Sequence, residues 1–327
     1  MGFFKIKSKT KLHEHSVGSR IEESDFAVVS GDEFVQLEYI EEEVQIEPYK
    51  VKPGIWSVTK SGGKLILVPT EFSNDGILET YVKTQSLTDL CDKFFTRLDK
   101  YAKRKIEVPK RTFLLYGPAG TGKSEALKRV SLQYVKDNNT AVIFWRTDVI
   151  DPYDMKEFVK TFEYHGVKQI IMIAEDIGGV EADQIKIKSE SSLLSLLDNQ
   201  EKAFKIPVLI IATTNYPENL MANLTNRPKR IDRKIHFDYP SSEERKQLLQ
   251  FFDADKIVTE DVLQYLGQKK FNTFTPAHIN EIFIRSDIED MTLKDSIDSI
   301  QKEIDQFNAM FQEKIKLGIA IKRDDYD

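Results

Sequence analysis

The chain has 327 residues, of which 47 are basic and 53 acidic, giving a net charge of −6, with 40% hydrophobic and 31% charged residues. That is an ordinary globular composition with room for two or three compact units. It contains no apolar run near the roughly 20 residues that span a membrane, and its acidic balance disfavours nucleic acid as the main partner. The lone cysteine, Cys91, excludes an internal disulfide and fits a small buried apolar residue in a reducing, cytoplasmic protein. Met1 to Thr10 has neither a signal-peptide core nor a cleavage site, and Ile6 breaks the myristoylation pattern that Gly2 would need.

In chain order, residues 1 to about 45 mix acidic runs with broken alternation, so a partly mobile start is expected. His13 and His15 form an H-x-H pair with no further ligands nearby, which predicts no metal site. From Val44 to Leu78 the pieces VQIEPY, GIWSVTK and KLILVP are separated by Pro and Gly punctuation, which is hairpin grammar. A small β-rich module with Trp56 and Tyr49 in its core is therefore expected over 1–85. Residues 86–107 predict a linker helix, with Ser86 as N-cap and Leu87, Leu90, Phe94, Phe95, Leu98 and Tyr101 on one face. The basic stretch Lys100–Arg111 reads as a solvated helix end.

Residues 108–241 alternate strands with helices. Strands are expected at 112–116, 140–146, 168–174 and 207–213, and helices at 124–136, 152–162 and 189–198. Apolar runs of this kind predict a parallel sheet covered by helices on both faces, an α/β fold. From Ser242 the strands stop, and helical patterns at 242–252, 259–268, 276–287 and 291–315 predict an all-helical lid over 242–327.

The chemistry concentrates in the α/β part. Gly117-Pro118-Ala119-Gly120-Thr121-Gly122-Lys123-Ser124 fills every fixed position of G-x-x-x-x-G-K-[ST] between an apolar strand and a helix. Such a loop wraps a polyphosphate with backbone N–H groups and faces it with a helix N-terminus. Lys123 would then bridge the β- and γ-phosphates of ATP, and the Ser124 hydroxyl would ligate Mg²⁺. After the strand IIMIA come Glu175 and Asp176, suited respectively to the metal and to the attacking water. Asn215 follows the next strand in IATTN, where it could face the γ-phosphate or the water. Arg227, Arg230 and Arg233 crowd the segment beyond, where arginines make sense as fingers reaching a neighbouring subunit's phosphate.

Taken together, these residues resemble the AAA family of the AAA+ ATPases. YGPAGTGKS looks like its Walker A, IIMIAEDI its Walker B, ATTN its sensor 1, and NRPKRIDRKIHFDYPSSEER its second region of homology; SSLLSLLDNQ before sensor 1 matches as well. The resemblance implies a homo-hexameric ring with ATP between protomers, Arg227 and Arg230 as fingers, and a sensor 2 segment, FTPAHINEI, with Ala277 in place of Arg. Two departures stand out: the Walker B order is Glu175-Asp176 rather than Asp-Glu, which points to slower hydrolysis, and the pore-loop position offers Tyr153 without the usual triplet. The compact single-motor layout is one found in bacteria and phages.

The leading functional expectation is an ATP-driven remodeller of a protein client, with no protease motif of its own. The alternatives are a DNA-directed motor or loader, and a nucleotide-gated assembly platform with little turnover.

Overall fold

The computed structural model describes residues 2–7, 27–30, 45–48, 51–61, 64–73, 81–106, 109–137, 139–145, 159–178, 204–220 and 230–316. The α/β half is built on strands β6 (Lys110–Tyr116), β7 (Thr140–Trp145), β8 (Gln169–Ala174), β9 (Val208–Thr214) and β10 (Arg233–His236). They are mutually parallel in the order β10-β6-β9-β8-β7. Every residue of β9 is buried, and so are the last five of β8. Such continuous apolar runs are what a sheet covered on both faces requires. One face packs on the helix α1 (Val82–Phe95) and on α3 (Lys123–Tyr134), through Leu87, Cys91, Phe94, Ala126, Leu127 and Val130. The other packs on Val159 and Phe162 of the helical stretch 159–164.

Three departures from the expected elements have physical causes. The linker helix starts at Val82, not behind a Ser86 cap: its N-cap is Tyr81, five residues earlier, whose side chain is buried in the apolar core of the carboxyl-terminal helices. The helix then breaks at Thr96 and Arg97 before α2 (Leu98–Lys103), because the Thr96 hydroxyl bonds back to the Asp92 carbonyl at 2.5 Å and closes the last turn of α1. Strand β10 has no apolar run to announce it. Three of its four residues are exposed, and its place is set by parallel pairing with β6 and by Asp232, which accepts from the Thr112 N–H at 2.8 Å and pairs with Arg111 at 2.9 Å.

The amino-terminal strands do not form a separate sheet. Strands β1 (Gly2–Lys7), β2 (Ala27–Ser30), β3 (Gln45–Pro48), β4 (Gly54–Ser61) and β5 (Lys64–Pro69) extend the central one to ten strands, order β10-β6-β9-β8-β7-β4-β5-β2-β1-β3. The join is β4 lying parallel to β7, with Ile55 opposite Val142 and Ser57 opposite Phe144. Trp56 is a core residue as expected, 4% exposed and edge-on to Phe162 at 5.9 Å. Cys91 is also fully buried, and burial pushes its thiol pKa up. Tyr49, His13, His15 and the expected helix 189–198 lie outside the described residues.

The carboxyl-terminal region is helical: α4 (Ser242–Phe252), α5 (Glu260–Leu266), α6 (Pro276–Ile288) and α7 (Leu293–Lys316). Ser241 and Glu244 form a capping box at the start of α4, which fixes where the sheet ends and the helices begin. The buried Arg245 then ties the region together. Its guanidinium donates to the carbonyls of Pro240 (2.9 Å), Leu266 (3.1 Å), Gly267 (3.2 Å) and Gln268 (3.2 Å). Arg245→Met keeps the bulk but takes this donor from the Pro240, Leu266 and Gln268 carbonyls, while Gly267 keeps the Ser242 hydroxyl at 3.0 Å, so it should lower unfolding free energy by roughly 3–5 kcal/mol in denaturant titration. A loss under about 1 kcal/mol would mean that water replaces the guanidinium.

Candidate nucleotide site

The site begins where β6 ends. Gly117 stands so close to the chain entering the lid that a Cβ there would lie 2.1 Å from the Phe237 carbonyl oxygen. Gly120 (φ +72°) and Gly122 (φ +92°) hold left-handed backbone, which glycine adopts without strain. Gly122 is also the N-cap of α3 and offers no side-chain acceptor, so the first N–H groups of the helix are open to an anion. Lys123, 6% exposed, folds back over the loop and donates to the carbonyls of Gly117 at 2.8 Å and Pro118 at 2.7 Å. Burial pushes its pKa down to about 8, against the pull of the Asp176 charge. An ammonium so poorly solvated is primed for a polyphosphate.

The carboxylates follow β8, one strand beyond β9. Ser124 donates its hydroxyl to Glu175 at 3.3 Å, joining the start of α3 to the end of β8. Burial raises the Glu175 carboxyl above the usual carboxylate range, the Ser124 bond opposes this, and the Asp176 charge adds to it. Asp176 is exposed, in left-handed backbone (φ +51°), with its own N–H bonded to the Thr213 hydroxyl at 3.0 Å. Asn215, just past β9, donates to the Asp176 carboxylate at 3.0 Å. The two neighbouring acids are thereby sent apart, Glu175 to the helix start and Asp176 to the end of the next strand.

The lid closes on the loop from above. A Cβ on Gly120 would meet the Thr275 hydroxyl at 2.9 Å and the Ala277 Cβ at 3.2 Å. Thr275 is the N-cap of α6 and shares a capping box with His278. Tyr81, beside Gly122, is 4% exposed and belongs to the lid's apolar core; its buried hydroxyl has no partner among the described residues. Burial, reinforced by Glu244 and Asp238, raises its pKa.

An open helix terminus, a loop that a Cβ would block, a half-desolvated ammonium and a hydroxyl–carboxylate pair fit a nucleoside polyphosphate with a divalent cation. Lys123, Ser124, Glu175, Asp176 and Asn215 all lie at the carboxyl edge of three adjacent strands, β6, β9 and β8, where open α/β sheets bind ligands. Arg230 is 7% exposed and already interacts within its own chain. Arg227 and Tyr153 fall outside the described residues. Thr213, Phe237 and Thr275 lie inside the segments ATTN, NRPKRIDRKIHFDYPSSEER and FTPAHINEI, but their contacts escape a sequence reading because each partner comes from a distant segment; Tyr81 lies in no such segment at all.

Residues 113–239 match the ATPase family associated with various cellular activities (AAA). Protein HYPER-SENSITIVITY-RELATED 4 of Arabidopsis thaliana is 28% identical over 68% of this chain and 40% of its own length. AAA-ATPase At3g50940 of the same plant is 27% identical over 71% of the chain and 52% of its length. The 26S proteasome regulatory subunit 7 homolog of Schizosaccharomyces pombe is 27% identical over 63% of the chain and 50% of its length. The chain thus spans about half the length of these relatives. The phosphate loop, the acidic pair after β8 and Asn215 after β9 all fall within the matched segment, so residues 113–239 form an AAA-family ATPase domain.

Proposed function

We propose that this protein hydrolyses ATP at the subunit interfaces of an oligomeric ring, by preference a hexamer, and spends the cycle on remodelling, unfolding or disassembling a protein client. The observation that carries the ATPase reading is the convergence of Lys123, the Ser124–Glu175 pair and the Asp176–Asn215 pair at one sheet edge. Mg²⁺ bound with ATP would supply Lewis-acid charge neutralisation there. The protein's own residues do the rest. The loop N–H groups and Lys123 hold the β- and γ-phosphates, Ser124 and Glu175 hold the cation, and Asp176, oriented by Asn215, positions the attacking water. Arg227, with Arg230, is assigned to the neighbouring subunit's phosphate, and Tyr153 to the pore. The similarity to a proteasome regulatory subunit supports a protein client. Among the described residues no helix is long and apolar enough to cross a membrane. In the basic stretch, Arg111 is engaged by Asp232 and Tyr101, which leaves it a structural residue rather than a nucleic-acid contact.

The direct test is Lys123→Ala. Charged hydrogen bonds contribute about 1.5–3 kcal/mol each, so losing two phosphate contacts should weaken ATP binding by roughly 100-fold or more in calorimetry, with the unfolding midpoint little changed. Unaltered affinity would remove the phosphate-loop assignment. In the wild type, the free site loses the Lys123 proton as pH rises through about 8. ATP must then bring that proton back, so affinity should fall by up to about tenfold per pH unit above that point.

A further inference from the structure

Between the amino-terminal strands and the acidic pair lies a cavity of about 190 Å³, lined by Ser57, Thr70, Phe72, Ser124, Lys128, Phe144 and Glu175. Its near wall is the Ser124–Glu175 pair and its far wall is a second pair of hydroxyls, Ser57 Oγ and Thr70 Oγ1, 2.7 Å apart. Phe72 and Phe144, edge to face at 5.3 Å, close one side. The far wall is rigidly indexed to the near one. Ser57 pairs with Phe144 across β4 and β7, and Phe144 pairs with Ile173 across β7 and β8, two residues before Glu175. Thr70 is pinned in turn by its own N–H bonding to the Ile55 carbonyl at 2.9 Å. The Lys128 ammonium is drawn aside to Glu125 at 2.8 Å.

We propose that the amino-terminal strands complete the cation end of the nucleotide site, with the Ser57 and Thr70 hydroxyls acting as positioning groups for the water shell of a divalent cation held at Ser124 and Glu175. The cavity is roomy enough for several waters, and Mg²⁺ keeps several of its waters when only a hydroxyl, a carboxylate and phosphates contact it. Those waters need acceptors and donors on the side away from the nucleotide. Apart from Ser124, Glu175 and the engaged Lys128, the cavity's polar side chains are Ser57 and Thr70. Outer partners of this kind fix the orientation of the inner ligands. The amino-terminal strands would then sense cation-loaded nucleotide within their own chain, through hydrogen bonds, and the inference rests on the nucleotide-site reading above.

The test is the Mg²⁺ increment of ATP affinity, measured by calorimetry in Mg²⁺ and again in EDTA. Thr70→Val, which is isosteric, and Ser57→Ala should together cut affinity in Mg²⁺ by about tenfold and leave affinity in EDTA unchanged, and Thr70→Ser should restore it. Should Thr70→Val lower the unfolding midpoint, Ser57→Ala alone is read. A wild-type Mg²⁺ increment in the variants would overturn the proposal. So would an equal loss in Mg²⁺ and EDTA that Thr70→Ser does not repair, since that is a packing effect. ATP binding by the wild type with no Mg²⁺ dependence would remove the Ser124–Glu175 cation site itself, and the proposal with it.

Discussion

Asp176→Asn is expected to retain ATP while slowing its hydrolysis by about 10²–10⁴-fold, the range a positioned base contributes. The substitution is the least disturbing one available. Asn is nearly isosteric and tolerates left-handed backbone better than most residues, and Asp176 sits at φ +51°. The anchor from its N–H to Thr213 involves main chain alone, so it survives the change. Asn215 donates to Asp176, and an amide oxygen at that position accepts the same bond. What disappears is the negative charge facing the water. Glu175→Gln is expected to behave differently. Its partner is the Ser124 hydroxyl, and its carboxylate is poorly solvated, so the loss should appear as weaker Mg²⁺-dependent ATP binding. Single-turnover hydrolysis and calorimetry on both variants separate the two roles. Exchanged phenotypes would reverse the assignment, and full turnover in both would end it.

A mixture of Arg227→Ala and Lys123→Ala subunits is expected to recover ATPase activity that neither has alone. The two arginines are not equivalent candidates for a reach between subunits. Arg230 is 7% exposed and engaged within its own chain, so its removal also perturbs packing. Arg227, given the same role by the family resemblance, is therefore the residue substituted. An arginine supplied from a neighbour adds about 10³–10⁵ in rate, so Arg227→Ala should bind ATP and hydrolyse it at a small fraction of the wild-type rate. In a shared site, the phosphate loop of one subunit works with the arginine of the next, and some mixed interfaces contain both intact residues. Activity should also rise with protein concentration as rings assemble. A mixture that assembles yet stays inactive, alongside an Arg227→Ala protein that turns over normally when dilute, would show a self-contained ATPase.

How far the sequence carries depends on how local each feature is. The glycine loop needs G, K and S at fixed spacing because backbone N–H groups, one ammonium and one hydroxyl must meet phosphates within a single turn, so the pattern reads directly. Strands β6 to β9 are equally legible, since a strand buried on both faces must be apolar throughout. Strand β10 is not, because an exposed edge strand carries no such constraint.

Sequence alone therefore determined the fold class, the phosphate loop, the order of the acidic pair and Asn215, and the family they resemble. Each is a short-range pattern imposed by backbone geometry or by one strand's burial. Tertiary structure decided the rest: that Glu175 turns to Ser124 while Asp176 turns to Asn215, that Thr275 and Tyr81 seat the lid on the loop, and that the amino-terminal strands run into the catalytic sheet through β4 and β7. Those contacts join residues from 39 to more than 150 positions apart. Hydrogen-bond pairing and close packing select them only once the whole sheet has formed, and no local pattern records a choice made at that distance.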